Sequence, residues 1–181
     1  MNPLYLTEED VAATLTIPDA LRLVEDAARA LAEGRAQNRP RQRAQTAGTA
    51  NGCVVQVLAA AYGDRLGHKT YTVAPHGRGA RFWYTLFANS GEMLAVIEAD
   101  TLGQRRTGAA SGVAAKHLAR EDASTLAVIG TGWQARSQLE ACCAVRPIRS
   151  VRAYGRDEAR RRAFCDEMTA NVGIAVEPCE S

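Results

Sequence analysis

The sequence lacks the marks of secreted, membrane-spanning and metal-bound proteins. None of its five cysteines forms a Cys-x-x-Cys pair, and no apolar run approaches the roughly 20 residues of a membrane span. The first residues hold no basic segment followed by an apolar core, which predicts that no secretory signal peptide is present. His68 and His117 have no neighbours at metal-ligand spacing, so no metal site is predicted. These absences favour a cytoplasmic protein with reduced cysteines.

The sequence also lacks an excess of charge of either sign. A net charge of +2 over 181 residues is too small to indicate binding to nucleic acid or to a membrane surface. The content of 46% apolar and 23% charged residues is ordinary for a globular protein. The length fits one large domain or two small ones.

The first part of the chain combines two helices with several strands. Helices are predicted from Thr7 to about Leu15 and from Pro18 to Gly34, and residues 35–52 are predicted to form an exposed connection. Strands are predicted at residues 53–59, 67–74, 81–88 and 93–99. This pattern predicts an antiparallel sheet flanked by the two helices.

The last part of the chain changes to an alternation of strands and helices. Strands are predicted at residues 125–129, 150–154 and 173–177, with helices at residues 133–145 and 157–169. Such alternation is typical of a parallel sheet. The fold class expected is therefore α/β, with an α+β domain over residues 1–122 followed by a parallel sheet over residues 123–181.

A glycine turn links the first of these strands to its helix. Gly130 is predicted to make a tight turn and Gly132 to let a phosphate approach, while Ala135 takes a packing position. A G-x-G-x-x-A sequence between a strand and a helix favours a dinucleotide site of the Rossmann type. The alternative is a glycine turn in another α/β protein. Because the chain stops at Ser181, the Rossmann-type sheet is expected to be incomplete.

The end of the second strand bears on the cofactor. NAD-binding proteins usually carry an acidic residue there, but this chain has Tyr154, Gly155 and Arg156. Arg156, with Arg160 one helical turn further, could pair with a 2′-phosphate, which favours NADP over NAD. The alternative is a solvated basic helix around residues 160–162.

Three further cations are candidates for binding a carboxylate. Lys69 lies within a predicted strand, where a charge needs a reason, and it shares a face with Tyr71. Arg106 precedes a predicted helix start rich in small residues, which would make an anion-binding corner. Arg41 is the third. A single Lys or Arg is more often a surface charge, and that alternative stays open for each.

Together these segments resemble the ornithine cyclodeaminase/mu-crystallin family. The resemblance rests on Gly67-His68-Lys69, on Arg106-Thr107-Gly108-Ala109-Ala110-Ser111 and on the IGTGWQAR segment that starts at Ile129. It covers essentially the whole chain. It implies a substrate-binding and dimerisation domain followed by a Rossmann domain, with the active site in the cleft between them.

The resemblance also implies roles for individual residues. Lys69 would be a catalytic and substrate-binding residue, and it would hold the substrate carboxylate together with Arg41. Arg106 and Thr107 would lie close to substrate and cofactor. The remaining cofactor-binding positions are Gly130, Thr131, Gly132, Trp133, Gln134, Gly155, Arg156 and Arg160. The segment around residues 76–86 departs from the family pattern. The family's catalytic aspartate lies beyond the third Rossmann strand, so it is not expected in this chain.

Three functional hypotheses follow from the resemblance. The first is an NAD(P)-dependent homodimeric enzyme that transfers hydride at the α-carbon of an amino or imino acid, as a cyclodeaminase-type lyase or an imino-acid reductase. The second is an NADP(H)-binding protein of the mu-crystallin type without turnover. The third is a catalytically incomplete fragment.

Overall fold

A computed structural model describes residues 2–46, 52–73 and 80–180. The helices are α1 (Glu8–Thr14), α2 (Ile17–Ala32), α3 (Asp100–Leu118), α4 (Trp133–Val145) and α5 (Glu158–Val172). The strands are β1 (Leu4–Leu6), β2 (Ala36–Asn38), β3 (Gln42–Gln45), β4 (Val54–Tyr62), β5 (Arg65–Val73), β6 (Ala80–Ala88), β7 (Met93–Glu98), β8 (Thr125–Ile129), β9 (Ser150–Tyr154) and β10 (Val176–Pro178). None of the helices described is both long and apolar enough to cross a membrane.

The chain divides into two compact units. Unit 1 comprises Met1–Leu15 and Asp26–Gly103, and unit 2 comprises Thr16–Glu25 and Gln104–Ser181. Three boundaries separate the units: one lies between α1 and α2, and the other two fall inside α2 and α3. The functional division at residue 122 stays a prediction.

Unit 1 contains a seven-stranded sheet in the order β1-β7-β6-β5-β4-β2, with β3 also paired to β4. The four strands predicted from the sequence form its antiparallel centre, as expected. The prediction that residues 35–52 form an exposed connection was wrong in part, because β2 and β3 lie there and both pair with β4. Their polar side chains are mostly exposed, and strand pairing needs only their backbone groups.

Helices α1 and α2 begin and end close to the predicted residues. Thr7 and Asp10 form a reciprocal capping box at the start of α1. At the end of α2, Gly34 has φ +72°, and the amide of Arg35 donates to the carbonyl of Ala30 at 2.8 Å. The left-handed backbone at Gly34 favours glycine and closes the helix.

A pair of glutamates ties α1, α3 and β7 together within unit 1. The Glu8 carboxylate accepts the amides of Asp100 (2.7 Å) and Thr101 (2.8 Å) at the start of α3. The Glu98 carboxylate accepts the amide of Glu8 and the hydroxyl of Tyr5, both at 2.9 Å. Burial raises the pKa of Glu8, but the hydrogen bonds from Thr101 and Asp100 outweigh it and leave the pKa lowered.

Unit 2 contains a parallel three-stranded sheet in the order β10-β9-β8, as the alternation predicts. Its largest fully buried side chains come from β9, α4 and α5, and they are Val151, Leu139, Phe164 and Met168. β10 begins three residues later than predicted because Gly173, with φ +67°, ends α5 and the chain turns there. The fold class is α/β, as expected.

Helix α3 packs against α4 at two glycines. A Cβ on Gly108 would lie 2.4 Å from the carbonyl carbon and oxygen of Ser137. A Cβ on Gly112, one turn further, would lie 2.9 Å from Ala141. The missing side chains therefore let the two helix backbones approach closely, as the small residues of this segment suggest.

Candidate functional site

The glycine turn leaves the first turn of α4 accessible. Gly130 has φ +105°, which favours glycine, and its amide donates to the carbonyl of Tyr154 at 2.8 Å. Gly132 is the N-cap of α4, with extended backbone and no side-chain cap. In the part of the chain that is described, no atom lies within 4 Å of the place that a Cβ on Gly132 would occupy. Amide groups at such an uncapped helix start attract anions.

The carbonyl groups of the same turn are held by side chains. Two side chains donate to consecutive carbonyl oxygens, Arg136 to Gly132 (3.1 Å) and Gln104 to Trp133 (2.7 Å). The single hydroxyl proton of Ser137 is shared between the Gln134 carbonyl (3.2 Å) and the nearer Gln104 carbonyl (2.9 Å). Arg136 is itself fixed by Glu167 on α5 through bonds of 2.7 and 2.5 Å. The hydrogen bond from Arg136 lowers the pKa of Glu167. The turn is therefore anchored through its carbonyls.

The end of β9 lies beside the glycine turn. A Cβ on Gly155 would lie 2.6 Å from the hydroxyl oxygen of Thr131, so residue 155 must be small. The buried guanidinium of Arg161 donates to the carbonyl of Gly155 at 2.8 Å, which ties this strand end to α5. Thr131 and Gly155, both predicted from the sequence, are thus brought together.

The arginines after β9 differ in their surroundings. Arg156 is exposed on the turn before α5. Asp157 caps α5 by accepting the amide of Arg160 at 2.9 Å, and the Arg160 side chain lies 3.7 Å from the Asp157 carboxylate. Arg162 pairs with Glu158 on the exposed surface of α5, as expected for a solvated helix. Arg156 is therefore the arginine best placed to meet a ligand at the end of β9.

A second group of predicted residues lies in unit 1. The Lys69 ammonium lies 5.1 Å from the ring centres of Tyr71 and of Phe82. The Arg41 guanidinium lies 5.8 Å from the Tyr71 ring centre, so Tyr71 contacts both cations. Tyr71 is 8% exposed and donates from its hydroxyl to Gln56 at 3.0 Å. Rings placed in this way hold cations by cation–π attraction.

Tyr84 extends this group across the sheet. It lies directly opposite Lys69 in the pairing of β5 and β6. A Cβ on Gly67 would lie 2.7 Å from the Tyr84 hydroxyl oxygen, so the glycine makes room for the ring. Burial raises the pKa of Tyr84, which keeps its phenol protonated and able to donate a hydrogen bond at neutral pH.

Arg106 and Thr107 do not lie at a helix start. The prediction that Arg106 precedes the helix was wrong, because α3 begins at Asp100, where Glu8 accepts the first amides. Arg106 is therefore in the second turn, exposed, and Thr107 is half-buried. The anion-binding corner expected from a helix N-terminus is absent at Arg106 in the described segment 80–180.

Sequence reasoning missed Gln104, Ser137 and Tyr84 as parts of these two groups, and it placed Tyr71 on the same face as Lys69 without giving it a role. Gln104 carries a recognisable signal, since it starts the i, i+4 series that continues with Gly108 and Gly112 on one helix face. The segment 76–79, which departs from the family pattern, lies outside the described residues.

Comparison with known proteins yields one family. The model of the ornithine cyclodeaminase/mu-crystallin family matches residues 1–181. The sequence is 41% identical over 116 residues to a Delta(1)-pyrroline-2-carboxylate reductase of Bacillus cereus, a match that covers 61% of this chain and 36% of the reductase.

Two solved structures have the same fold. Delta(1)-pyrroline-2-carboxylate reductase of Thermococcus litoralis, in complex with NADH and L-proline, matches with TM-score 0.90 and 29% identity over 98% of this chain and 57% of its own. An archaeal alanine dehydrogenase dimer with bound NAD matches with TM-score 0.89 and 31% identity over 99% of this chain and 56% of its own. The chain thus spans little more than half the length of these relatives.

Proposed function

The chain belongs to the ornithine cyclodeaminase/mu-crystallin family, and we propose that it carries the dinucleotide site and the substrate-carboxylate site of an NAD(P)-dependent enzyme acting on an amino or imino acid. The observation that carries this proposal is the first turn of α4. Its carbonyls are held by side chains, while its N-cap has no side-chain bond and its approach is open at Gly132. That arrangement suits a pyrophosphate.

The cofactor proposed is NADP in preference to NAD. Arg156 supports it, as an exposed cation at the end of β9, where a 2′-phosphate would lie. Asp157 weakens it, because this carboxylate lies next in the chain and already pairs with Arg160. The solved relatives named above contain NADH and NAD, so both cofactors need to be compared directly.

The substrate proposed is a small amino or imino acid, and cyclic imino-acid reduction is favoured over a cyclodeaminase-type lyase reaction. Lys69 and Arg41 supply two cations around one buried ring, a setting that would hold a carboxylate. Arg106 and Thr107 remain candidates on α3. When bound, the nicotinamide would exchange hydride with the α-carbon, and the chain's own residues would fix the carboxylate in position.

A homodimer formed through unit 1 is also proposed. The strand β6 at the centre of its sheet has half-buried side chains on both faces, which leaves apolar surface for a second copy. The archaeal alanine dehydrogenase with which the chain shares its fold is described as a dimer. The sedimentation velocity of the 181-residue chain tests this directly.

The nucleotide site is tested by Gly132→Ala. A Cβ at this position meets no described atom and the φ of −89° suits alanine, so the fold should tolerate it. The same Cβ would fill the space through which a phosphate approaches. We expect an unchanged melting temperature and a loss of NADP⁺ affinity of at least about tenfold.

Two results would contradict the proposal for this site. One is a Gly132→Ala chain that binds NADP⁺ and NAD⁺ as tightly as the parent chain. The other is a parent chain that binds neither nucleotide at millimolar concentration. For the substrate site, Lys69→Gln should abolish NADPH oxidation with a cyclic imino acid in a version of the protein that also carries the family's catalytic aspartate. In the 181-residue chain, tight NADP⁺ binding without any turnover would fit both the binding-protein hypothesis and the incomplete-fragment hypothesis.

A further inference from the structure

Gln104 has surroundings that a surface glutamine on a helix does not have. Its side chain is 8% exposed, in the second turn of α3. The amide nitrogen donates to the Trp133 carbonyl at 2.7 Å, and the Gln104 backbone carbonyl accepts the hydroxyl of Ser137 at 2.9 Å. Two hydrogen bonds therefore join this residue of α3 to α4, one at Trp133 in the first turn and one at Ser137.

The Gln104 bond differs from the two other bonds that hold this turn. Arg136 and Ser137 are residues of α4 itself and would move together with the turn. Gln104 comes from another helix and fixes the turn relative to α3. Close packing of Gly108 against Ser137 leaves α4 little freedom to shift along α3, so the geometry of this bond is determined by the helix contact.

We infer that Gln104 is a positioning residue for the nucleotide, acting through the Trp133 carbonyl to hold the amides of the glycine turn in the direction from which a pyrophosphate is bound. This inference rests on the proposed dinucleotide function of the glycine turn. Gln104 itself need not contact the nucleotide. Its buried amide would lose its partner if the turn rotated, and that penalty favours the binding-competent orientation.

The first test is nucleotide affinity in two variants. Gln104→Leu keeps the side chain's bulk and removes the donor, and we expect it to weaken binding of NADP⁺ and NAD⁺ by roughly fivefold to tenfold in titration calorimetry. Met168→Val is the control for packing, because Met168 belongs to the same hydrophobic cluster as Ala135 of α4 but has no hydrogen bond to the turn among the described residues. It should lower stability without changing affinity.

The second test separates positioning from simple packing through pH. In Gln104→Glu, a protonated carboxyl can donate to the Trp133 carbonyl, whereas a carboxylate would repel it. We expect the affinity of Gln104→Glu for NADP⁺ to exceed that of Gln104→Leu at pH 5 and to fall to or below it at pH 8. A purely structural role would give the same ratio of the Gln104→Glu affinity to the Gln104→Leu affinity at both pH values.

The third measurement needs no nucleotide. Amide hydrogen exchange at Arg136 and Ser137, whose helical bonds close the first turn, should be faster in Gln104→Leu than in the parent chain and unchanged in Met168→Val. Unchanged exchange, or a Gln104→Leu affinity equal to that of the parent chain, would overturn the inference. If the parent chain binds neither nucleotide, the proposed function fails, and the exchange result alone decides whether Gln104 positions the turn.

Discussion

The two sheets of this protein achieve stability in different ways. In unit 2, β9 alternates buried and exposed residues, and Val151 and Ala153 are fully buried under α4 and α5. In unit 1, every residue of the longer strand β6 is half-buried except exposed Arg81. The small sheet therefore depends on a few closely packed side chains. The wide sheet depends on backbone pairing along many strands and keeps apolar surface partly exposed.

The largest expected effect comes from removing a side chain of the unit 2 core. Phe164 is 1% exposed, and Phe164→Ala should cost about 3–5 kcal/mol in the free energy of unfolding of unit 2. Phe82→Ala, at a half-buried position of β6, should cost clearly less in unit 1.

The two tryptophans make that comparison measurable. Trp83 lies in unit 1 and Trp133 in unit 2, so single-tryptophan chains with Trp83→Phe or Trp133→Phe report on one unit each. In urea unfolding followed by fluorescence, Phe164→Ala should produce a large shift of the unfolding midpoint reported by Trp133. Equal shifts of the midpoints reported by both tryptophans would show that the two units do not differ in their dependence on closely packed core side chains.

A glycine pair on α3 gives the next largest difference. Gly108→Ala would place a Cβ 2.4 Å from the Ser137 backbone and should destabilise unit 2 by about 1–3 kcal/mol. Gly103→Ala is the matched control on the same helix, at a position where a Cβ meets no described atom, and it should stabilise by up to about 1 kcal/mol. Thermal unfolding of both variants measures the contrast, and a harmless Gly108→Ala would refute the close contact between α3 and α4.

Unit 1 should be more sensitive than unit 2 to the loss of a single capping carboxylate. Glu8→Gln removes the charge that accepts the first amides of α3 and should cost about 1 kcal/mol at pH 7. Because the folded-state pKa of Glu8 is lowered, its contribution is present above about pH 4.5 and is lost as the pH falls through the folded-state pKa. The difference in melting temperature between Glu8→Gln and the parent chain should therefore shrink in acid. A difference in melting temperature that stays constant from pH 7 to pH 3 would argue against a stabilising role of the Glu8 carboxylate.

The smallest expected effect concerns the reactivity of a buried cysteine. Burial raises the pKa of Cys143 in unit 2 to about 11, with neighbouring Cys142 and Glu140 adding to the shift. The thiol is then protonated at pH 7.5 and should react with iodoacetamide far more slowly in the native chain than after unfolding in urea. Mass spectrometry of the modified peptides reads this out, and native labelling at the unfolded rate would contradict the close packing around α4.

Local signals made much of the fold predictable, and interactions between distant segments account for what was missed. The periodicity of residues 125–172 and the glycines at 130 and 132 fixed the elements of unit 2. The strands β2 and β3 were missed because their exposed polar residues carry no alternating pattern. The start of α3 was misplaced because its cap, Glu8, lies 92 residues away in the chain.

The candidate site shows the same division. Gly132 and Gly155 were predicted as cofactor-binding positions from the glycine turn and from the end of the second strand. The hydrogen bond from Gln104 to the Trp133 carbonyl was not predicted, because it spans 29 residues of the chain and only the packing of α3 on α4 creates it. The contact of Arg41 with the Tyr71 ring was likewise visible only in the folded chain, whereas strand alternation had already placed Lys69 and Tyr71 on one face.

We propose that unit 2 binds a dinucleotide at the glycine turn, and the amide chemical shifts of that turn report such binding residue by residue. Titrating the isotopically labelled 181-residue chain with NADP⁺ should shift the amides of residues 130–134 and of Gly155 and Arg156, with smaller changes elsewhere. These amides should respond first and saturate together. Shifts confined to unit 1, or no shift at Gly130 and Gly132 at saturating nucleotide, would contradict it.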